Sequence, residues 1–93
     1  YLPVKEPERS RAIRSFEKRA HAERQSQIFI EAPYRNAKLL ETMLGVLSPS
    51  TLLTVAADIT SASESISTMR VEQWRKVPMP DIQKRPTIFI LGI

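Results

Sequence analysis

Two carboxylates stand where an α/β protein would be expected to place a ligand site. Glu31 directly follows the apolar segment 28–30, and Asp58 directly follows the mostly apolar segment 51–57. If both segments are strands that run parallel, the two side chains reach the same edge of the sheet, where α/β folds bind ligands. The alternative is purely structural: Glu31 caps the next helix and Asp58 stabilises a turn. Arg35, four residues after Glu31, is either its ion-pair partner or a surface arginine.

The rest of the sequence offers few groups for chemistry. The chain has no cysteine and one histidine, His21, so it cannot supply a thiolate or a multi-imidazole metal site. Its two glycines, Gly45 and Gly92, are too far apart to build a phosphate-binding loop. We therefore expect no metal site and no dinucleotide fingerprint, and the sequence names no catalytic base.

Basic residues are concentrated at the start of the chain. Residues 1–24 hold seven basic and four acidic side chains, which accounts for +3 of the total net charge of +4. Such a segment can contact RNA phosphates, whereas the interleaved acids favour a solvated helix face with mixed salt bridges. No apolar run approaches the roughly 18 residues that span a bilayer. Because cysteine is absent as well, we expect a cytoplasmic protein with no membrane partner.

Hydrophobic periodicity predicts helices and strands that alternate along the chain. The predicted helices span residues 7–24, 35 or 36 to 47, and 71–76, and the predicted strands span 26–31, 51–57, 64–68 and 87–93. The first helix has a narrow apolar stripe and should pack lightly. Strands separated by helices favour parallel neighbours, and the close third strand favours one antiparallel partner. The fold class expected is α/β, with a mixed sheet of about four strands and helices packed against it.

Several segments carry a family resemblance, in the family's own order. Residues 28–35 are similar to a strand-end signature that contains Glu-Ser-Pro-His-Arg, and residues 55–60 are similar to Ala-Arg-Glu-Leu-Thr. Residues 64–68 and 87–91 are similar to the strands that follow, and residues 1–3 to a Gly-Phe-Leu-Pro entry. Together they resemble the C-terminal half of the tetrapyrrole (corrin/porphyrin) methylase superfamily. Within it they are most similar to the branch that methylates a ribose 2′-hydroxyl on a cytidine of small-subunit ribosomal RNA.

The chain departs from this branch at two charged positions. Ala57-Asp58 stands in place of the branch's Arg-Glu, which removes a positive charge and shortens the acid. Arg85-Pro86 stands in place of its Gly-Glu. These differences bear on the RNA acceptor more than on the fold, and they indicate a divergent subgroup.

The resemblance implies a methyltransferase that uses S-adenosylmethionine. It implies that residues 1–93 are a single C-terminal α/β domain, and that a separate N-terminal domain with a Gly-rich loop completes the cofactor cleft. The chain also opens without methionine, so we expect a fragment that is inactive alone. The residues that the resemblance assigns to the cofactor are Ile30, Glu31, Ala32, Ala57, Asp58, Ile59, Thr60 and Leu91, and those assigned to the substrate are Pro33 and Arg35.

The family further implies ribosomal RNA as a partner and a homodimer, in which self-association covers an exposed apolar surface. Two alternatives remain open. One keeps the fold but makes the methyl acceptor a tetrapyrrole or another small molecule. The other is a non-catalytic α/β module for RNA binding or dimerisation, which should expose aromatic side chains for stacking.

Overall fold

The computed structural model describes residues 2–92. Three helices, a short 3₁₀ turn and four strands follow one another within that range. They are α1 (Glu8–Glu23), β1 (Gln27–Ile30), the 3₁₀ turn (Pro33–Arg35), α2 (Asn36–Val46), β2 (Leu52–Ala57), β3 (Ser65–Arg70), α3 (Val71–Trp74) and β4 (Thr87–Leu91). Each predicted element is present, with ends that differ by a few residues. The predicted entry residue Tyr1 and strand end Ile93 lie outside the described residues.

The four strands form one sheet in the order β1-β4-β2-β3. The predicted α/β class, with about four strands and helices packed against the sheet, is confirmed. Each neighbouring pair of strands is antiparallel, however, so the prediction of parallel neighbours within the sheet is wrong. The last strand, β4, lies between β1 and β2 and runs against both. As a result β1 and β2 point the same way without touching, and their carboxyl ends still reach one edge of the sheet. The prediction that β3 is an antiparallel edge strand is confirmed.

One face of the sheet carries the hydrophobic core. Side chains alternate between the two faces of a strand, and in β4 every second residue is buried, with Phe89 and Leu91 fully so. Leu39, Leu40 and Met43 of α2 pack with these strand residues and are themselves fully buried. The helices therefore cover this face and keep the sheet rigid beneath any site at its edge.

The opposite face of the sheet is apolar but uncovered. The register sets Ile28, Ile90, Thr54 and Thr68 side by side in one row, and Ile30, Ile88, Ala56 and Ile66 side by side in the next. Three of these isoleucines are exposed by 42% or more, which is unusual for large aliphatic side chains within a sheet. The exposed apolar surface expected from the sequence is thus present; we call these eight residues the open sheet face.

Helix α1 packs more tightly than its narrow apolar stripe predicts. Ile13 and Ala20 are fully buried, and the same face also buries two charged side chains, Arg9 and Glu17. The hydrophobic pattern of the sequence places both of these charged residues in solvent. Because they are buried instead, the prediction of light packing is wrong. No helix within residues 2–92 is long and apolar enough to cross a bilayer.

Candidate functional site

An open groove lies at the sheet edge where β1 and β2 end. Its floor is Ile30, Ile88 and Ala56, which are neighbours across three strands on the open sheet face. Its volume is about 340 Å³, near the lower end of the range of small-molecule sites. The remaining lining residues are Glu31, Pro33, Ile59, Pro86 and Thr87. Apart from Glu31 and Thr87 the walls are apolar, so the groove suits a flat, weakly polar group.

The carboxylate of Glu31 is fixed from both sides at the groove edge. Its Oε1 accepts a hydrogen bond from the Ala32 N–H at 2.8 Å and lies 3.3 Å from Nη1 of Arg35. Its Oε2 lies 3.1 Å from Nη2 of Arg9, a residue of α1 that is itself buried. The side chain of Glu31 is 4% exposed. Two guanidinium groups therefore surround one carboxylate, which leaves a net positive cluster beside the groove.

Arg35 extends this cluster towards solvent. Its guanidinium lies over the Tyr34 ring, 4.7 Å from the ring centre, and its Nη2 donates to the Tyr34 hydroxyl. About a third of the Arg35 side chain is exposed. Because Glu31 and Tyr34 both hold it, Arg35 keeps one orientation at the rim and is ready to meet an anionic group.

Asp58 and Arg85, which stand at the two departures from the family pattern, are ion-paired with each other. Nε of Arg85 donates to Oδ2 of Asp58 at 2.8 Å, and its Nη2 donates to the Ser63 carbonyl at 2.7 Å. The Ser63 hydroxyl donates to the same Oδ2 at 2.9 Å. The hydrogen bonds from Arg85 and from Ser63 hold the pKa of the Asp58 carboxyl below its usual range. This pair joins the loop after β2 to the loop before β4 at the groove's end.

Five of the ten predicted site residues lie at the groove. Four of them line it directly, namely Ile30, Glu31, Pro33 and Ile59, and the fifth, Arg35, is paired with Glu31. Of the two alternatives left open for Arg35, the ion pair with Glu31 is the one observed. Of the two left open for Asp58, the turn is observed, because its carbonyl accepts the Ser61 N–H, whereas its role in a ligand site stays a prediction.

The other predicted contacts lie elsewhere. Leu91 is fully buried, beside Gln27 and Leu53 where β1 and β2 begin, and so lies at the opposite end of the sheet from the groove. The resemblance assigned Leu91 to the cofactor, but β4 runs antiparallel to β1 and β2, so its last residue lies away from their carboxyl ends. Ala57 is buried on the helix-covered face. The amides of Ala32 and Thr60 are already bonded, to Glu31 and Glu64 respectively.

Four residues that line the groove were not predicted from the sequence, namely Ala56, Pro86, Thr87 and Ile88. Three of them belong to the start of β4 or precede it. Once β4 is antiparallel to β1 and β2, its amino end must lie beside their carboxyl ends. The register, rather than any motif, is the signal that locates them, and the sequence does not reveal that β4 inserts between the two earlier strands.

The arrangement supports binding more readily than bond cleavage. Within residues 2–92 no group of three or more His, Asp or Glu side chains is placed to hold a metal ion. The ionisable side chain that lines the groove is Glu31, and both of its oxygens face other groups. The lining offers apolar contact to a planar ligand and has a charged residue at its edge. Reactive groups would have to come from a partner that covers the open side of the groove.

The outward face of α1 carries a basic stripe. Arg11, Arg14 and Lys18 follow at intervals of three and four residues, so they lie on one face of the helix. All three side chains are exposed, and none has an ion-pair partner within residues 2–92. The mixed salt bridges expected on this face from the interleaved acids are absent there, and the three charges are available to solvent or to a polyanion.

Comparison with known proteins yields one kind of match. No protein-family model matches the chain, and no curated protein matches it. Among solved structures it is similar to the crystal structure of the methyltransferase CobJ, with a TM-score of 0.54 and 15% sequence identity. The similarity covers 99% of this chain and 39% of that chain. This protein thus shares the fold of part of CobJ, and it spans well under half of that structure's length.

Proposed function

We propose that this chain supplies one wall of the cofactor site of an S-adenosylmethionine-dependent methyltransferase of the tetrapyrrole-methylase fold. The groove at the ends of β1 and β2 carries the proposal, because it combines an apolar floor with a position at the carboxyl ends of two strands. The fold shared with CobJ, itself a methyltransferase, supports the same class. The part played by this chain is to bind and orient.

The groove residues fit the adenosine end of the cofactor. Ile30, Ile88 and Ile59 offer the faces of a planar base apolar contact, and Thr87 and the strand-end backbone lie within the same lining. No residue of the lining is suited to the sulfonium or to the acceptor, and when bound the cofactor would supply the methyl group. Because the groove is open on one side, we expect a second domain to complete the cleft and this chain alone to bind weakly.

A matched pair of variants on β4 tests this proposal. Ile88→Glu puts a carboxylate on the groove floor, whereas Ile90→Glu puts the same charge two residues along, on the same face but outside the groove. S-adenosylhomocysteine, the product such an enzyme releases, should bind to the wild type and to Ile90→Glu but not to Ile88→Glu. Equal binding by both variants, or none by the wild type, would contradict the proposed site.

For the methyl acceptor we propose an RNA ribose, and ribosomal RNA as the partner. The basic stripe of α1 supports this choice, since three exposed cations on one helix face, without ion-pair partners among residues 2–92, suit a row of phosphates. Arg35, fixed at the groove rim beside Pro33, is the candidate contact to the acceptor itself. A tetrapyrrole or other small-molecule acceptor on the same fold is the second candidate.

The salt dependence of RNA binding separates these acceptors. The triple variant Arg11→Gln, Arg14→Gln, Lys18→Gln should flatten the log–log salt slope for a single-stranded RNA by about two, because each lost phosphate contact is worth about 0.7. A control that removes three exposed lysines elsewhere, Lys38, Lys76 and Lys84, should change the slope little. If both triple variants lose the same slope, the stripe is not a specific RNA surface and the small-molecule acceptor is favoured.

We also propose a homodimer through the open sheet face. The central rows of that face carry no charge, so two chains of net charge +4 can approach there. Four strands at about 4.8 Å spacing and about five residues in length give on the order of 300 Å² per copy. A two-copy contact would then bury about 600 Å², below the roughly 1,000 Å² of a stable interface. The dimer should therefore be weak and concentration-dependent. Because Ile30, Ile88 and Ala56 of this face also form the groove floor, the dimer and a bound ligand should exclude each other.

Sedimentation velocity over a range of concentrations tests the dimer. Ile28→Lys, which charges the most exposed isoleucine of the face, should give a monomer at every concentration. Ser67→Lys adds the same charge on the other face of β3 and should leave the association unchanged. A wild-type chain that stays monomeric at high concentration would rule this interface out.

A further inference from the structure

We propose that Arg9 is a positioning residue for the groove: through Glu31 it fixes the orientation of Arg35 and of the Ala32 amide. This inference rests on the proposed cofactor site. Arg9 lies in the first turn of α1, far from Glu31 in sequence, and its side chain is only 4% exposed. It therefore reaches, from inside the protein, the carboxylate of a residue that lines the groove.

The geometry of the pair favours orientation over stability. Nη2 of Arg9 and Oε2 of Glu31 are 3.1 Å apart but are not aligned for a hydrogen bond. Nε of Arg9 also has no hydrogen-bond partner within residues 2–92. A buried ion pair repays its desolvation only when its remaining donors and acceptors are satisfied. An arginine that is buried with unpaired donors adds little stability. The contact between Arg9 and Glu31 therefore needs an explanation other than stability.

The consequence of that contact lies on the other oxygen of Glu31. Because Arg9 attracts Oε2, Oε1 faces the Ala32 N–H and Nη1 of Arg35. Arg35 in turn meets the Tyr34 hydroxyl. A series of contacts thus runs from the interior of α1 through the Glu31 carboxylate to Arg35 and Tyr34 at the surface. Without Arg9, Glu31 is free to rotate, and both the groove edge and the Arg35 guanidinium lose their fixed position.

Three single variants separate a positioning role from a structural one. Arg9→Met removes the cation, and Arg9→Lys keeps a cation that can still reach Oε2, since only one guanidinium nitrogen makes the contact. Ile13→Val, one turn further along the buried face of α1, loosens the same helix without touching Glu31. Binding of S-adenosylhomocysteine is measured well below each variant's unfolding temperature, together with the NMR signals of the Ala32 amide and the Arg35 Nε–H.

We expect Arg9→Met to bind about tenfold more weakly, with both NMR signals shifted, because a charge-assisted contact is lost. Arg9→Lys should restore most of the affinity and both signals, and Ile13→Val should leave the affinity unchanged. If Arg9→Met does not fold, Arg9→Met with Glu31→Gln removes the lone buried charge and keeps an acceptor for the Ala32 N–H. That double variant should fold and still bind weakly.

These experiments separate a failure of the positioning role of Arg9 from a failure of the proposed cofactor site. If wild-type chain does not bind S-adenosylhomocysteine at all, the proposed cofactor site fails, and the Ala32 and Arg35 signals of Arg9→Met alone decide the positioning role. If wild type binds and the folded Arg9→Met or double variant binds equally well with unchanged signals, the positioning role is overturned. An equal loss in Ile13→Val would likewise assign Arg9 a merely structural part.

Discussion

Replacing Glu17 with alanine should destabilise the fold more than replacing any exposed acid. Glu17 lies on the buried face of α1, and its Oε2 accepts hydrogen bonds from the Ser48 N–H at 2.8 Å and from the Thr51 hydroxyl at 2.5 Å. Thr51 is 2% exposed, so its hydroxyl would keep only the His21 ring, at 3.3 Å, as a partner. The Glu17 carboxylate thus accepts hydrogen bonds from two residues of the turn that connects α2 to β2.

The magnitude follows from those two bonds. A hydrogen bond to a charged group is worth about 1.5–3 kcal/mol, and part of that gain offsets the cost of burying the carboxylate. We expect Glu17→Ala to lower the free energy of unfolding by about 2–4 kcal/mol. A chain of this size has a total stability of roughly 5–14 kcal/mol, so the loss is a large fraction of the whole.

Urea unfolding followed by fluorescence provides the measurement. Trp74 is the only tryptophan and is 4% exposed, so its emission reports the loss of the core. With a slope of roughly 1–1.5 kcal/mol per molar urea, the midpoint should fall by about 2 M. Glu17→Gln keeps one acceptor oxygen and should show about half the effect.

Glu41→Ala is the matched control for this prediction. Glu41 belongs to α2, is two-thirds exposed and pairs with Lys38 at 3.6 Å. An exposed pair of this kind contributes about 0.5 kcal/mol or less. If Glu17→Ala and Glu41→Ala unfold at the same urea concentration, the buried carboxylate does not support the turn and the reasoning is refuted.

Three further predictions concern the groove and its surroundings. Ala56→Phe should abolish ligand binding in calorimetry, because the new ring fills the groove floor; since Ala56 is only 3% exposed, the ring should also lower the unfolding midpoint by roughly 1–2 M, and ligand binding at wild-type affinity would contradict this placement. Asp58 has a lowered pKa in the fold, so its pairing with Arg85 stabilises the protein above the ordinary aspartate pKa of about 4 and is lost as pH falls below it. Thermal melts should therefore show Asp58→Asn to be less sensitive to acid than wild type, and parallel curves would refute the pairing. Trp74→Phe removes the 2.8 Å hydrogen bond to the Leu53 carbonyl and should cost about 1–2 kcal/mol in chemical unfolding, whereas no change would show the bond to be dispensable.

Local pattern was enough to predict the elements, because helical and strand periodicity are properties of short segments. The strongly periodic α2 and the apolar β2 and β4 were located to within a few residues. The spacing of Val71 and Trp74 along α3 is typical of core residues, and both are buried. Serines 61, 63, 65 and 67 alternate with mostly small or apolar residues, as solvent-facing side chains do, and they are exposed.

Pairing between distant strands could not be predicted in the same way. Nothing in residues 87–91 indicates that this strand inserts between β1 and β2 rather than beside one of them. That one fact moves Leu91 away from the site and brings Thr87 and Ile88 into it. The shared sheet edge of Glu31 and Asp58 was predicted correctly, because it depends only on the directions of β1 and β2. These two strands run in the same direction in the actual topology, although β4 lies between them.

Buried charges were the other feature that pattern analysis could not find. Arg9 and Glu17 occupy the core face of α1, where hydrophobicity scales place them in solvent. Their partners lie 22 and 34 residues away, at Glu31 and Thr51, so no local signal marks them. His21 is exposed on α1, yet its ring approaches the Thr51 hydroxyl, a contact that no local pattern marks either. A cytoplasmic location stays a prediction.

An isoleucine methyl NMR titration with S-adenosylhomocysteine tests whether the groove binds the adenosine end of the methyl donor. We expect the methyl signals of Ile30, Ile59 and Ile88 to shift and saturate together, with weak affinity because the groove is open on one side. The signals of Ile13 in the core and of Ile28 on the open face should stay in place. No shift at millimolar ligand, or shifts of equal size at Ile28, would contradict it.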